Sequence, residues 1–163
     1  MNDIYRELRR LIDLNYQEQW VPTNIALQQL NQYRSQIIPG LVSALDDTDS
    51  DIRLLALSLL DEAGMQSAPG MSAMIQMLAD EDRPVRVAAA QCLQKFGPMA
   101  IDAIPLLCPW LSDDHEYVRV LAAVTISSIN PAMKNELLPV IKAASGSYNP
   151  LVKRPAQEFL VEH

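Results

Sequence analysis

Three aspartates at alternate positions, Asp47, Asp49 and Asp51, form the pattern in this chain that comes nearest to a metal site. Alternate carboxylates begin a calcium loop, in which glycine at the sixth position makes a sharp turn and glutamate at the twelfth completes the coordination. Here those two positions are Ile52 and Ser58. Calcium binding is therefore disfavoured, and we expect these carboxylates to stabilise the positive N-terminal end of a following helix.

Groups that could carry out catalysis are few in this sequence. It has two histidines, His115 and His163, and two cysteines, Cys92 and Cys108. It contains no glycine-rich phosphate loop, no zinc-type cysteine spacing and no nucleophile elbow. Both cysteines lie in apolar segments, where we expect reduced, buried thiols of low reactivity. The sequence therefore predicts a protein that is not an enzyme and uses no cofactor.

The composition is typical of a chain that folds around a core, with 49% hydrophobic and 20% charged residues. The net charge of -7 repels phosphate backbones and anionic lipid surfaces. No apolar run reaches the roughly 18 residues of a membrane span, and the N-terminus lacks the apolar run of a secretory signal. We expect a cytoplasmic monomer that binds neither nucleic acid nor membranes.

The sequence repeats itself at intervals of 33 to 34 residues. A basic residue recurs six positions after an acidic or polar one and three positions before an alanine. The basic column is Arg53, Arg86, Arg119 and Lys153, the column before it is Asp47, Asp80, Asp113 and Ser147, and the alanine column is Ala56, Ala89, Ala122 and Ala156. This agreement indicates a structural repeat whose helices approach closely at the alanines.

Each copy is predicted to form two helices, because apolar residues recur at three- and four-residue spacing on both sides of a polar break. The first helices are predicted at 36–45, 68–78, 100–111 and 135–144, and the second at 50–63, 83–96, 116–129 and 150–161. Gly64 and Gly97 are stop signals for two of them. Such a pair cannot bury its apolar face alone, so we expect an all-α solenoid of about four to five stacked antiparallel helix pairs.

The repeats resemble the HEAT repeat family, in particular the short bacterial-type repeats of phycobilisome-lyase-like proteins. The resemblance rests on the strings LDDTDSDIRLLAL, LADEDRPVRVAAAQCLQKFG, LSDDHEYVRVLAAVTI and the weaker YNPLVKRPAQEFL, within residues 36–161. It implies a ladder of hydrogen-bonded ion pairs between repeats, formed by Asp47, Arg53, Asp80, Arg86, Asp113 and Arg119. The fourth copy departs from this pattern, with Ser147 and Lys153 in the two columns.

We therefore expect one HEAT-like solenoid domain over residues 1–163, with four repeats in residues 36–163. Residues 1–35 do not follow the repeat, and we interpret them as a degenerate pair of capping helices. One helical stripe is Ile4, Leu8, Leu11 and Ile12, and Ile25, Leu27 and Leu30 indicate a second. The arginines at positions 6, 9 and 10 suit a solvated outer face, or could instead dock on an acidic partner.

His115 and Glu116 resemble the His-Glu pairs with which HEAT-repeat hydroxylases bind iron. The resemblance implies that such a pair follows the Val-Arg step of the repeat, where this chain has apolar residues in three copies and Arg154-Pro155 in the fourth. His115 aligns instead with Asp49, Asp82 and Asn149, residue types that favour the N-cap of a helix. We predict a capping or turn role for His115, and no metal ligation.

A strip of apolar residues that follows the ladder arginines is the main candidate binding surface. In HEAT-like solenoids the second helices line the concave side, and these positions point partly outward. The strip is Leu54, Leu55, Val87, Ala88, Val120, Leu121 and Val124, rimmed by Ser58, Gln91, Gln94 and Lys95. Exposed apolar patches with polar rims are typical of protein-binding surfaces, although these residues could instead pack within the stack.

The acidic turns form a second candidate surface, to which electrostatic attraction would steer a basic partner. It consists of Asp47, Asp49, Glu81, Asp82, Asp114 and Glu116. The sequence as a whole predicts a non-enzymatic interaction module or adaptor that binds a protein or peptide on its concave face. The alternative is a bilin lyase-like or phycobiliprotein pigment-handling role, because the resemblance implies that relatives of this repeat type assist bilin attachment or removal.

Overall fold

The computed structural model describes residues 3–16 and 37–162, and within these ranges every regular element is a helix. The chain divides into two compact units, Met1–Cys92 and Leu93–His163. In chain order the α-helices are α1 (Asp3–Tyr16), α2 (Ile37–Ala44), α3 (Ser50–Ala63), α4 (Met71–Gln76), α5 (Arg83–Gln94), α6 (Ile104–Leu107), α7 (Glu116–Ile129), α8 (Lys134–Ser145) and α9 (Pro150–Glu162). The predicted all-α fold is confirmed, whereas the single domain over residues 1–163 stays a prediction.

The second helix of each copy agrees with its predicted bounds to within two residues. Asp49 is the N-cap of α3, and its side chain accepts a hydrogen bond from the Asp51 amide at 3.0 Å. Gly64 and Gly97, the predicted stop signals, have φ angles of +57° and +53°. Side chains other than glycine rarely adopt this conformation, so these two residues end the preceding helices where the sequence predicts.

The predicted first helices of the second and third copies are interrupted. Segments of 3-10 helix occupy Gly64–Gly70 and Met77–Ala79 around α4, and Gly97–Ala103 and Cys108–Ser112 around α6. Three of these four segments contain a proline, Pro69, Pro98 or Pro109, and proline lacks the amide that an α-helix interior requires. No helix within the described ranges is long and apolar enough to cross a membrane.

The core of the first unit is built by α1, α2 and α3, which contact one another. The predicted stripe on α1 is buried, with Ile4, Leu8, Leu11 and Ile12 between 0% and 7% exposed. The second predicted capping helix, with Ile25, Leu27 and Leu30, lies outside the described residues. At Gly70 an added Cβ would meet the Val42 Cγ2 atom at 2.5 Å, so glycine permits the close approach of α2 to the segment Gly64–Gly70.

The second unit is organised around α7, which contacts α8, α9 and the segments Gly97–Ala103 and Cys108–Ser112. A helix that is apolar on all sides must be covered on all sides, and the sequence EYVRVLAAVTISSI has this character. Its buried residues are Val118, Val120, Leu121, Ala122, Ala123, Val124, Thr125, Ile126, Ser127 and Ile129. This central position of α7 decides how much of the predicted strip reaches the surface.

The two cysteines differ in their environments. Cys92 is buried, and its thiol donates to the Leu57 carbonyl at 3.3 Å, which agrees with the expected buried thiol. Cys108 is exposed, so the expectation of a buried thiol is wrong there. Cys108 begins a 3-10 segment, whose three residues per turn place its side chain on a different face from the one that an α-helical period predicts.

Candidate functional site

An ion pair between Arg53 and Asp80 joins two copies of the repeat within the first unit. The Arg53 Nε and Nη2 atoms donate to the two carboxylate oxygens of Asp80, both at 2.8 Å. The Nη1 atom donates to the Asp47 carbonyl, also at 2.8 Å. Each side chain of the pair is only 6% exposed. Two parallel charged hydrogen bonds give this contact a fixed geometry, and it corresponds to one rung of the expected ladder.

The surroundings of this pair shift both ionisation equilibria in favour of the charged forms. The hydrogen bond to Asp80 raises the pKa of Arg53 despite the opposing effect of burial. Burial by itself would raise the pKa of Asp80. The hydrogen bonds from Arg53 and the Asp82 amide, and the charges of Arg53 and Arg86, nevertheless hold that pKa below its ordinary value. The pair is therefore fully charged at neutral pH.

Each ladder arginine also closes the turn of its own copy, a role that the sequence analysis did not anticipate. The Nη1 atom of Arg86 donates to the Asp80 carbonyl at 2.7 Å and to the Glu81 carbonyl at 2.9 Å. Arg119 repeats the contact with the Asp113 carbonyl at 2.7 Å. In the first three copies, an arginine six residues after the aspartate thus donates to the backbone carbonyl of that aspartate, just before the second helix begins.

The residues of the aspartate column accept a hydrogen bond from the amide two residues later. The Oδ1 atoms of Asp47, Asp80 and Asp113 each do so at 2.8 Å. In the fourth copy the Ser147 Oγ atom accepts from the Asn149 amide at 3.2 Å. Serine therefore keeps the turn of the fourth copy but provides no carboxylate for a ladder contact.

The acidic turns form one candidate surface, which we call the acidic edge. An arginine from α1 neutralises part of its charge. The Nη1 atom of Arg9 donates to Asp49 at 2.7 Å, and its Nη2 atom lies 3.7 Å from Asp47. The expectation of a purely solvated arginine face is therefore wrong for Arg9, whereas Arg6 and Arg10 are exposed. Arg9 lies outside the repeat, so no column of the sequence indicated this contact.

Several carboxylates of the acidic turns make structural contacts within the chain. Asp47 and Asp49 bind Arg9 and backbone amides, and Asp82 accepts from Arg53 at 3.2 Å. The side chain of Glu81 is 85% exposed. Among residues 3–16 and 37–162, no three His, Cys, Asp or Glu side chains converge as metal ligands would.

His115 occupies the N-cap position of α7, in agreement with the repeat alignment, but its side chain makes no capping hydrogen bond. Its Nδ1 atom lies 3.1 Å from the Asp113 Oδ1 atom, which also accepts from the His115 amide. The imidazole is largely exposed. The residue therefore belongs to the turn before α7, in which the Asp113 carboxylate accepts from the His115 amide.

The structure divides the predicted apolar strip into an accessible part and a buried part. Val120, Leu121 and Val124 are only 1%, 3% and 2% exposed, so the expectation that they point outward is wrong. The reason is the central position of α7, which the neighbouring elements of the second unit cover. Repeat position alone did not indicate the burial of Val120 and Leu121, because their equivalents in α3 and α5 are apolar as well.

The accessible part lies on α3 and α5, and we call it the α3–α5 strip. Its apolar residues are half-buried and its polar residues are half-buried or exposed: Leu54, Leu55, Ser58, Val87, Ala88 and Gln91. The two helices are joined beneath it by the hydrogen bond from Cys92 to the Leu57 carbonyl. Arg53 and Asp80 fix the start of α5 against α3. The strip therefore lies on a rigid pair of helices.

Comparison with known proteins identifies a family of repeats that matches this chain. The family model for HEAT repeats matches residues 38–126 and 71–161. No curated protein matches the sequence. An engineered protein solved by the Northeast Structural Genomics Consortium is similar in structure, with a TM-score of 0.62 and 20% identity over 98% of this chain and 78% of its own. A designed armadillo repeat protein has a TM-score of 0.59 and 21% identity, over 85% and 68% of the two chains.

At these identities the structural likeness shows the fold alone, and it confirms the predicted class of an all-α repeat solenoid. The two stretches matched by the family model overlap and together cover most of the chain. The matched region contains the arginine and aspartate columns and all four second helices. The chain therefore belongs to the HEAT repeat family.

Proposed function

We propose that this protein is a non-enzymatic interaction module that binds a segment of a partner protein on the α3–α5 strip. The observation that carries the proposal is the partial exposure of four apolar side chains, Leu54, Leu55, Val87 and Ala88, at equivalent positions of two adjacent helices. The equivalent positions of α7 are filled by core residues. Apolar residues kept accessible on a rigid surface favour protein binding.

The charges around the strip indicate the chemistry of the partner. Asp51 and Glu62 are exposed, and their spacing places them on the same face of α3 as Leu55 and Ser58. A partner helix with apolar residues on one face and basic residues at its edges would complement this surface. Such helices bind grooves through anchors spaced one turn apart, and the acidic rim would speed their association at low salt.

The experiment compares three forms of the protein as bait in an extract of the source cell. Leu54→Glu/Val87→Glu places two charges on the strip, where an apolar partner face would have to desolvate them. The matched control is Met65→Glu, because Met65 is 57% exposed and lies off the strip in the segment Gly64–Gly70. We expect wild type and Met65→Glu to retain the same identified partner and the double variant to lose it.

Circular dichroism and thermal melting of all three forms show whether the double variant remains folded. A double variant that folds and still binds the partner at wild-type affinity would refute the proposal. The acidic edge would then be the next surface to test, with Glu81→Lys as the first variant because Glu81 is the most exposed ion-pairing carboxylate there. The cytoplasmic location expected from the sequence stays a prediction.

The bilin-handling alternative gains no support from the comparisons, since the matched model describes HEAT repeats in general. It has a simple test. An absorbance shift on mixing the purified protein with a bilin would favour pigment handling, and an unchanged spectrum together with a captured protein partner would favour the interaction module.

A further inference from the structure

The C-terminal helix α9 has one face that packs inward and an opposite face that carries a regular exposed stripe. Val152, Ala156 and Phe159 are buried at 0% to 3% exposure, and α9 contacts α7 and α8. On the opposite side lie Leu151, Arg154, Glu158 and Val161, all exposed. Leu151 and Val161 are 69% and 86% exposed.

The stripe has the spacing of a helix-pairing seam. Its four positions are separated by three, four and three residues, the spacing of the a and d positions in a coiled coil. Arg154 and Glu158 at its centre form an ion pair within the chain at 2.8 Å, with both side chains mostly exposed. An exposed pair of this kind contributes little to the stability of the fold, so both side chains are available for exchange with another chain.

The stripe is complementary to itself when a second copy runs antiparallel. A two-fold axis that crosses the exposed stripe at the level of Ala156 brings Leu151 opposite Val161 of the second copy and Arg154 opposite its Glu158. The reverse pairs form at the same time, because a two-fold interface makes every contact twice. All four positions are thereby matched, apolar with apolar at the ends and opposite charges in the middle. A surface for an unrelated partner has no need of this self-complementarity.

We propose that α9 pairs with α9 of a second copy in an antiparallel, two-fold symmetric dimer. This interface lies entirely on residues 150–162 and does not depend on the proposed function of the α3–α5 strip. It replaces the expectation of a monomer that the sequence analysis gave. Tyr148, two residues before α9, is completely exposed, and tyrosine is among the residue types enriched at interfaces.

The dimer is expected to be weak and dependent on concentration. The helix has 13 residues and is about 20 Å long at 1.5 Å per residue, so a single helix pair buries an area at the low end of specific interfaces. Sedimentation equilibrium of the full chain, over concentrations from roughly 1 µM to 1 mM, is therefore the appropriate measurement. The average mass should rise from monomer towards dimer across this range.

Charge reversal provides the decisive variants. Arg154→Glu places two glutamates opposite each other at both central contacts of the dimer, and Glu158→Arg places two arginines there. Because each like-charge contact occurs twice, each variant should raise the dissociation constant at least about tenfold. The matched control is Lys153→Glu, which makes the same change of charge as Arg154→Glu at an exposed position of α9 off the stripe.

Mixing the two single variants separates pairing between chains from effects within one chain. In a mixed dimer every glutamate of one chain faces an arginine of the other, so an equimolar mixture of Arg154→Glu and Glu158→Arg should dimerise about as well as wild type. The double variant Arg154→Glu/Glu158→Arg should dimerise as well. Melting curves test whether the variants remain folded, which is expected for exposed positions.

Two results would overturn the proposal. A wild-type protein that stays monomeric at the highest concentration would show that the stripe does not bind its own copy. A dimer that is unchanged by both single reversals, or a mixture that associates no better than its components, would show that the contact lies on another face.

Discussion

At the scale of single residues, Arg53 connects two copies of the repeat and the turn of its own copy. It binds both oxygens of Asp80, the Asp82 carboxylate and the Asp47 carbonyl. Arginine is suited to this position because its planar guanidinium can donate in several fixed directions at once. The resemblance to HEAT repeats implied the pairing of the two columns, but the contact with the backbone of its own turn needed three-dimensional structure.

Loss of the Arg53 side chain should therefore be costly. Arg53→Ala leaves the Asp80 carboxylate buried without its main partner, and breaking a buried pair in this way costs about 3–5 kcal/mol. Arg154→Ala removes an arginine with an equally short but exposed ion pair, and should leave the free energy of unfolding almost unchanged. Urea denaturation measures both. Equal losses in the two variants would contradict the structural role given to Arg53.

The lowered pKa of Asp80 makes part of the stability depend on pH. A carboxyl group whose pKa is lower in the folded than in the unfolded state stabilises the fold above its unfolded pKa of about 3.9, and that contribution is lost as the pH falls through the folded value. The difference in unfolding free energy between wild type and Asp80→Asn should therefore be constant near neutral pH and shrink below about pH 4. A difference that is independent of pH down to pH 2 would show that the charge of Asp80 contributes nothing.

The two cysteines should react at very different rates. The exposed thiol of Cys108 should be labelled quickly by a thiol reagent in the native protein, whereas the buried thiol of Cys92 should react only after unfolding. The Cys108→Ser variant isolates the slow thiol. Rapid labelling of that variant under native conditions would show that the contact between α3 and α5 opens readily.

At the scale of helices, the sequence predicted where the second helices begin and end better than which of their residues are buried. The second helices were predicted well because acidic N-caps, glycine stops and apolar periodicity agree there, as at Asp49 and Gly64 of α3. The first helices of the second and third copies were less regular than predicted, and three of their four 3-10 segments contain a proline. Val87 and Val120 occupy equivalent repeat positions, yet one is half-buried and the other is core. Only the packing of neighbouring helices decides between these outcomes.

This pair of valines gives a matched test of the packing. Val120→Glu places a charge in the core of the second unit without a partner, and the variant should lose several kcal/mol of stability or fail to fold. Val87→Glu makes the same change on the α3–α5 strip and should cost about 1 kcal/mol or less. Thermal melts compare them directly. A collapse of Val87→Glu equal to that of Val120→Glu would place the strip in the core.

At the scale of the whole molecule, the repeat accounts for most of the recurrent residues and assigns them to structure. The arginine and aspartate columns stabilise the turns and join neighbouring copies through hydrogen bonds, and the alanine column is buried. The partly exposed apolar residues of α3 and α5, and the stripe on α9, are not required by the repeat in this way. We therefore expect selection for partner binding to act on the α3–α5 strip, and selection for dimerisation to act on the α9 stripe.

Binding on the α3–α5 strip is the central claim, and its most direct measurement is an amide chemical-shift map of the isotope-labelled protein titrated with the captured partner segment. Saturable shifts should concentrate on α3 and α5, around Leu54, Leu55, Val87 and Ala88. The Met65→Glu control should give the same map, and Leu54→Glu/Val87→Glu should give no saturable shifts. A map confined to the acidic turns or to residues 93–162 would contradict the claim.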